Sequence, residues 1–138
     1  MSRSGYSDDI DSTWDWIRYR GAVKSALRGR PGQSFLREML AALYALPEKR
    51  LIQNELVDEY DDGAVCALGS VGRARQLDMA KIDPEDREAV ADFFNVADAM
   101  AYEIMWLNDE APVWPPETPE ARWLRVRNWV VDHIIDAH

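Results

Sequence analysis

The chain has 138 residues, of which 47% are hydrophobic, and a formal net charge of −9. This length is typical of one domain, and the apolar content is sufficient for a core, which excludes a generally disordered chain. No apolar run approaches the ~18 residues of a membrane span and the polar N-terminus is not a signal peptide, so we expect a cytoplasmic protein that does not bind membranes. The single cysteine, Cys66, excludes an internal disulfide and is expected to be a small buried hydrophobe.

The acidic charge is concentrated in the C-terminal two-thirds of the chain. Residues 1–50 hold nine Lys and Arg against six Asp and Glu, whereas residues 51–138 hold seven against nineteen. Such a molecule is dipolar, and its field attracts partners of either sign. Because like charges repel, duplex DNA is a poor partner for the whole chain. A basic protein surface, or the nucleic-acid groove of a protein, suits the acidic part better.

Two helices are predicted in the first third. Residues 1–12 are small and polar, and we expect them to be flexible. Helical periodicity then predicts helices from Thr13 to Arg28 and from Pro31 to Ala45, with Gly29 ending the first. The first helix carries a basic stripe spaced by one turn: Arg20, Lys24 and Arg28. This stripe either pairs with carboxylates of the same chain, is solvated, or docks an acidic or nucleic-acid partner.

The middle of the chain predicts a small β-hairpin around residues 51–68. Its two apolar segments, 51–57 and 64–68, flank an acidic turn that ends in Asp-Gly, a strong turn signal. A helix over residues 48–57 is the alternative. The turn carries four carboxylates: Asp58, Glu59, Asp61 and Asp62. They lack the bidentate Glu of a calcium loop, so we interpret them as a solvated turn that can dock a basic partner, with a weak divalent site as the alternative.

A glycine-containing segment follows the second predicted strand. Free backbone N–H groups at such a turn, beside two arginines, can cradle a phosphate. The segment has neither the Walker nor the dinucleotide-binding pattern, and an ordinary tight turn is the competing interpretation. The candidate anion site comprises Gly69, Ser70, Gly72, Arg73 and Arg75.

Three further helices are predicted. Asp83-Pro84-Glu85-Asp86 is typical of a helix start, and that helix is expected to end near Phe94. A second helix spans residues 97–108, and the proline-rich connector at 111–119 leads to a last helix that ends near Asp136. The 97–108 helix is apolar nearly all round, so it is central or partly covered by a partner. It has no Lys or Arg, which argues against a helix-turn-helix that binds DNA.

Some polar and aromatic side chains of the last two helices are expected to contact a partner group. Glu103, on the apolar helix, and Arg127, on the apolar face of the last helix, are predicted to form a buried ion pair, because a lone buried charge is costly. Trp129 lies on the charged face of the last helix and is either stacked by an arginine or used in an interface. The two histidines, His133 and His138, predict neither a metal site nor a catalytic base.

Four parts of the chain carry a family resemblance: LPEKRLI at 46–52, VCALGSVGRAR at 65–75, NDE at 108–110, and Arg122, Trp123, Arg127, Trp129 and Val130 in the last helix. They resemble uncharacterised small acidic accessory proteins of tailed-phage and prophage genomes. The resemblance covers the chain from about Gly5 onward. It implies a phage-encoded accessory protein that acts in a bacterial cytoplasm, and it carries over no catalytic residue.

The sequence therefore predicts one mainly α domain over residues 13–138, with about five helices and a small hairpin insert. No catalytic residue, cofactor or metal is predicted. The leading hypothesis is a phage accessory protein that binds a host or phage protein, for example by blocking a defence complex or its nucleic-acid groove. The alternatives are a nucleotide- or small-ligand-binding protein that uses Gly69–Arg75, and an enzyme of unknown class. The sequence is also compatible with a homo-oligomer.

Overall fold

The computed structural model describes residues 13–61, 63–110 and 115–135, and within them the chain forms six α-helices and one two-stranded hairpin. The elements in chain order are α1 Thr13–Arg28, α2 Arg30–Ala45, β1 Val57–Asp58, β2 Ala64–Val65, α3 Ala67–Ala74, α4 Arg87–Phe94, α5 Asp98–Asp109 and α6 Pro119–His133. The predicted mainly helical domain with a hairpin insert is confirmed. The predicted flexible segment 1–12 and the first part of the connector lie outside the described residues.

Helices α1 and α2 have nearly the predicted bounds. Gly29 separates them and takes extended backbone angles as the N-cap of α2, and Pro31 lies in the first turn of α2, where its missing N–H costs nothing. The apolar face of α2 is buried, with Leu36, Met39 and Leu43 fully enclosed. This face packs against α3 and α6, so α2 forms one wall of the core.

Helix α5 is central, as its all-round apolar pattern predicts. It packs against α1, α3, α4 and α6, and Ile104 and Met105 are completely buried. Thr118 caps α6 by accepting a hydrogen bond from the N–H of Ala121, and α6 ends at His133, a few residues before the predicted end. None of the described helices is long and apolar enough to cross a bilayer.

The start of α4 differs from the prediction. Asp86, not Asp83, is the N-cap, because its Oδ1 accepts a hydrogen bond from Ala89 N–H at 3.1 Å. Asp83 instead accepts from Glu85 N–H at 2.9 Å and closes a separate turn. The predicted end is confirmed, since Asn95 follows α4 in the left-handed region with φ 56° and ψ 51°.

The hairpin lies where predicted, but its strands are two residues long. Val57 pairs with Val65 and Asp58 with Ala64 in an antiparallel register, and Gly63 takes a positive φ of 68° in the turn. The second strand ends early because Cys66 becomes the N-cap of α3. The alternative helix over residues 48–57 is wrong, since this stretch is irregular.

That irregular stretch is held by hydrogen bonds from distant elements. Leu51 N–H donates to the carbonyl of Pro119 at 3.0 Å, and the carbonyl of Leu51 accepts from Arg122 at 2.9 Å. The Asn108 side chain donates to the carbonyl of Ile52 and accepts from Ala67 N–H, both at 2.9 Å. One amide thus joins α5, α3 and the segment before the hairpin.

Candidate functional site

The candidate anion-binding segment lies in α3 rather than in a turn. Gly69 N–H donates to Cys66 Sγ at 3.4 Å, and Ser70 N–H and Oγ donate to the carbonyls of Cys66 and Ala67 at 2.9 and 2.6 Å. A Cβ at residue 69 would lie 2.0 Å from the carbonyl oxygen of Leu56, so glycine is required by close packing. The predicted phosphate-binding turn is wrong, because these N–H groups are buried and bonded within the chain.

The other members of that segment are separated. Gly72 faces the side chain of Met79. Arg75 donates to both carboxylate oxygens of Glu38, at 2.8 and 2.7 Å, and these hydrogen bonds lower the pKa of Glu38 and raise that of Arg75. Arg73 is exposed and lines a cleft of about 280 Å³ beside the hairpin. Of the five predicted residues, Arg73 alone retains the geometry to bind an anion.

The basic stripe of α1 is divided by the fold. Nη1 of Arg20 lies 3.0 Å from both carboxylate oxygens of Glu103, whose side chain is 6% exposed. Internal pairing, one of the three interpretations of the stripe, therefore accounts for Arg20. Lys24 and Arg28 are exposed and remain available at the surface.

The predicted Glu103–Arg127 pair is wrong. Arg127 donates Nε to the hydroxyl of Tyr44 at 2.8 Å and Nη1 to Asn128 at 2.6 Å. Because α1 packs against α5, it is Arg20 that reaches Glu103. Helical spacing correctly placed Glu103 in the core, but it cannot tell which neighbouring helix supplies the cation.

Trp129 is half-buried and stacked, but on a histidine. Its ring centroid lies 4.3 Å from that of His133 with an interplanar angle of 28°, and His133 Nδ1 is 2.7 Å from the carbonyl of Trp129. Trp129 also lines a shallow groove between α5 and α6, together with Trp106 and Leu124. Of the two interpretations of Trp129, stacking by an arginine is wrong, because its ring stacks on His133 while Arg122 and Arg125 of that face pair with Glu117.

Those two arginines form a polar cluster that the sequence did not indicate. Arg125 donates to both carboxylate oxygens of Glu117, at 2.7 and 3.0 Å, which lowers the pKa of Glu117. Arg122 is 4% exposed and its Nε lies 3.3 Å from Glu117, and burial lowers the pKa of Arg122. The cluster fastens the start of α6 to α5 and to the segment before the hairpin, so its role is structural.

The four carboxylates predicted at the hairpin turn have different surroundings in the structure. Asp61 is bound by both Nη atoms of Arg50, at 2.9 and 3.0 Å, which lowers the pKa of Asp61 and raises that of Arg50. Asp58 accepts a hydrogen bond from Tyr60 N–H at 2.9 Å and fixes the turn. Asp62 lies outside the described residues. Among the described carboxylates of this turn, Glu59 is therefore the one that is exposed and held by neither an ion pair nor a turn hydrogen bond, while Asp58 is half-buried and Asp61 is exposed but paired.

We call Glu55, Asp58, Glu59 and Tyr60 the acidic hairpin surface. Tyr60 is 99% exposed, although tyrosine usually buries much of its ring. A groove of about 320 Å³ runs beside these residues, and Val57, Met79 and Ile82 contribute its apolar lining. A carboxylate rim over an apolar floor fits a Lys or Arg side chain, whose stem is apolar and whose head is charged.

Among the described residues, no group of three His, Cys, Asp or Glu side chains converges to hold a metal ion. The chain matches no protein-family model, and comparison with curated proteins and with solved structures finds no similar protein. The functional argument therefore depends on the surfaces described above.

Proposed function

We propose that the chain is a non-catalytic phage accessory protein that binds a basic surface of a host or phage protein through the acidic hairpin surface. The observation that supports this proposal most directly is Tyr60, fully exposed between carboxylates and beside an apolar groove. Tyrosine is among the residues that contribute most to binding energy at protein interfaces. The phage context rests on the sequence resemblance.

The charge distribution supports a basic partner. Residues 51–138 hold seven Lys and Arg against nineteen Asp and Glu, and this field accelerates encounter with a cationic surface. A protein groove that binds nucleic acid is such a surface, since its cations are arranged to receive anionic groups. If the chain occupied such a groove of a defence complex in the bacterial cytoplasm, it would prevent that complex from binding nucleic acid.

The test is affinity capture from a bacterial lysate, followed by binding measurements with the purified captured protein. Glu59→Lys combined with Tyr60→Ala should remove binding without unfolding the chain, because both side chains are exposed. Asp92→Lys, which changes the charge equally on the exposed side of α4, is the matched control and should bind with only a modest loss. Equal binding by both variants would contradict the proposal.

A second candidate function is the binding of a phosphate-bearing small ligand, and the position of Arg73 favours it. Arg73 shares its cleft with Arg50, whose guanidinium is already paired with Glu48 and Asp61. Phosphate or a nucleotide bound there should raise the melting temperature with the logarithm of its concentration. Arg73→Ala should abolish this rise, and a flat response of the native chain to phosphate and nucleotides would exclude the site.

A further inference from the structure

The outer face of α1 exposes large apolar side chains. Trp14 is 73% exposed and Ile17 is 53% exposed, although α1 packs its opposite face against α2 and α5. At 100° per residue, these two side chains share a face with Gly21, Ser25 and Arg28. We call these five residues the outer α1 face.

Gly21 is the feature of this face that the described contacts within one chain do not explain. Among the residues that the structure describes, nothing lies within 4 Å of the position that a Cβ would take there. Glycine in a helix interior carries a cost in stability relative to alanine. At Gly69 that cost follows from the contact with Leu56, but at Gly21 no described residue comes close. A missing side chain on an exposed helix face allows the backbone of a second helix to approach.

The order of side-chain sizes along the face indicates which helix that is. Two large residues, Trp14 and Ile17, precede two small ones, Gly21 and Ser25. We propose that α1 pairs antiparallel with α1 of a second copy, around a two-fold axis at Gly21. In such an isologous contact, residues equally far before and after the axis face each other. Ile17 of each copy then lies over Ser25 of the other, so large side chains meet small ones.

The same symmetry brings opposite electrostatic features together. Trp14 and Arg28 each lie seven residues from Gly21, about 10 Å along the helix, so the Trp14 ring of one copy faces the Arg28 guanidinium of the other. Arg18 lies near Lys24 of the second copy, and this repulsion is reduced because Arg18 pairs with Asp15 at 2.6 Å. The outer α1 face is thus self-complementary except for one like-charge contact.

The net charge of the chain and the small area of the contact predict how this dimer depends on salt and how stable it is. Two copies with a net charge of −9 each repel, and salt screens this repulsion, so association should strengthen as ionic strength rises. A single helix pair buries less than the ~1,200 Å² of a standard interface, so the dimer should be weak and reversible. An acidic helix of another protein on Lys24 and Arg28 would show the opposite salt dependence.

The first test places a large side chain at the proposed two-fold axis of the full chain. Gly21→Leu should hold the two backbones apart and give a monomer in sedimentation equilibrium, while the monomer keeps its fold because no described residue lies close to that position. Ala41→Leu, at an exposed position of α2, is the matched control and should associate like the native chain.

The second test is sedimentation equilibrium of the native chain at low and high salt. We expect a reversible dimer whose dissociation constant falls with added salt, and a monomer for Trp14→Ala combined with Ile17→Ala. Both side chains are largely exposed, so helical circular dichroism should be retained. A native chain that is monomeric under both conditions, or equal association of the Gly21→Leu and Ala41→Leu variants, would overturn the proposal.

Discussion

Replacing Arg20 by Met should leave Glu103 buried without its cation. Removing one member of a buried ion pair costs about 3–5 kcal/mol, whereas an exposed pair contributes only about 0.2–1 kcal/mol. Here the Glu103 side chain is 6% exposed and that of Arg20 is 41% exposed, so water can reach the carboxylate from one side once the guanidinium is gone. We therefore expect a loss of about 2 kcal/mol in the free energy of unfolding, between the two limits.

Urea unfolding followed by circular dichroism measures this loss. In a chain of this length, about 2 kcal/mol corresponds to a fall of roughly 6–10 °C in melting temperature. Arg20→Met combined with Glu103→Leu should be close to the native chain in stability, because neither charge is then buried alone. Arg127→Met is the matched control, since Arg127 contacts Tyr44 at the surface, and it should cost less than about 1 kcal/mol.

The result that would refute this reasoning is additivity. If the two single losses simply sum in the double variant, Arg20 and Glu103 do not interact in solution. A larger loss from Arg127→Met than from Arg20→Met would refute it as well, since that order requires Arg127 to be the cation that compensates Glu103.

Two further predictions concern local packing and pH. Gly69→Ala should lower the free energy of unfolding by about 1–3 kcal/mol or more, since its Cβ would overlap the Leu56 carbonyl. Gly21→Ala should raise the free energy of unfolding of the dilute monomer by up to about 1 kcal/mol, since no described residue lies near its Cβ. Equal effects of the two substitutions in thermal melts would contradict the prediction that only Gly69 is required by packing. Glu117→Gln should destabilise the chain at pH 7, because Arg125 lowers the folded-state pKa of Glu117. In urea titrations, the native chain should be more stable than the variant above about pH 4.3, and this difference in the free energy of unfolding should disappear as pH falls through the folded-state pKa.

The parts of the fold that follow local rules were predictable. The bounds of α1 and α2 follow from helical periodicity with Gly29 and Pro31 between them, and the start of α6 follows from Thr118 and Pro119. These signals act within one turn of the chain, so no knowledge of tertiary neighbours is needed. The positive φ of Gly63 likewise follows from the turn sequence.

The parts that depend on tertiary contacts were not predictable. Gly69 and Gly72 are typical of a turn in sequence, but they lie in α3, where the Leu56 backbone leaves no room for a side chain at Gly69 and the Met79 side chain packs against Gly72. In the candidate site, sequence identified the acidic turn, but it could not show that Arg50 binds Asp61 and leaves Glu59 outward. Pairing of charges between distant elements depends on geometry that periodicity does not contain.

The hydrogen bonds of the segment before the hairpin bear on the cooperativity of unfolding. Irregular segments usually exchange their amide hydrogens quickly, because they open without the rest of the molecule. The N–H groups of Leu51 and Ile52 instead donate to the carbonyls of Pro119 and Val65, and Asn108 and Arg122 bind the carbonyls of the same two residues. To expose these amides, the chain must separate α5 and α6 from the hairpin. Leu51 and Ile52 should therefore exchange as slowly as the core of α5, although neither belongs to a helix or strand.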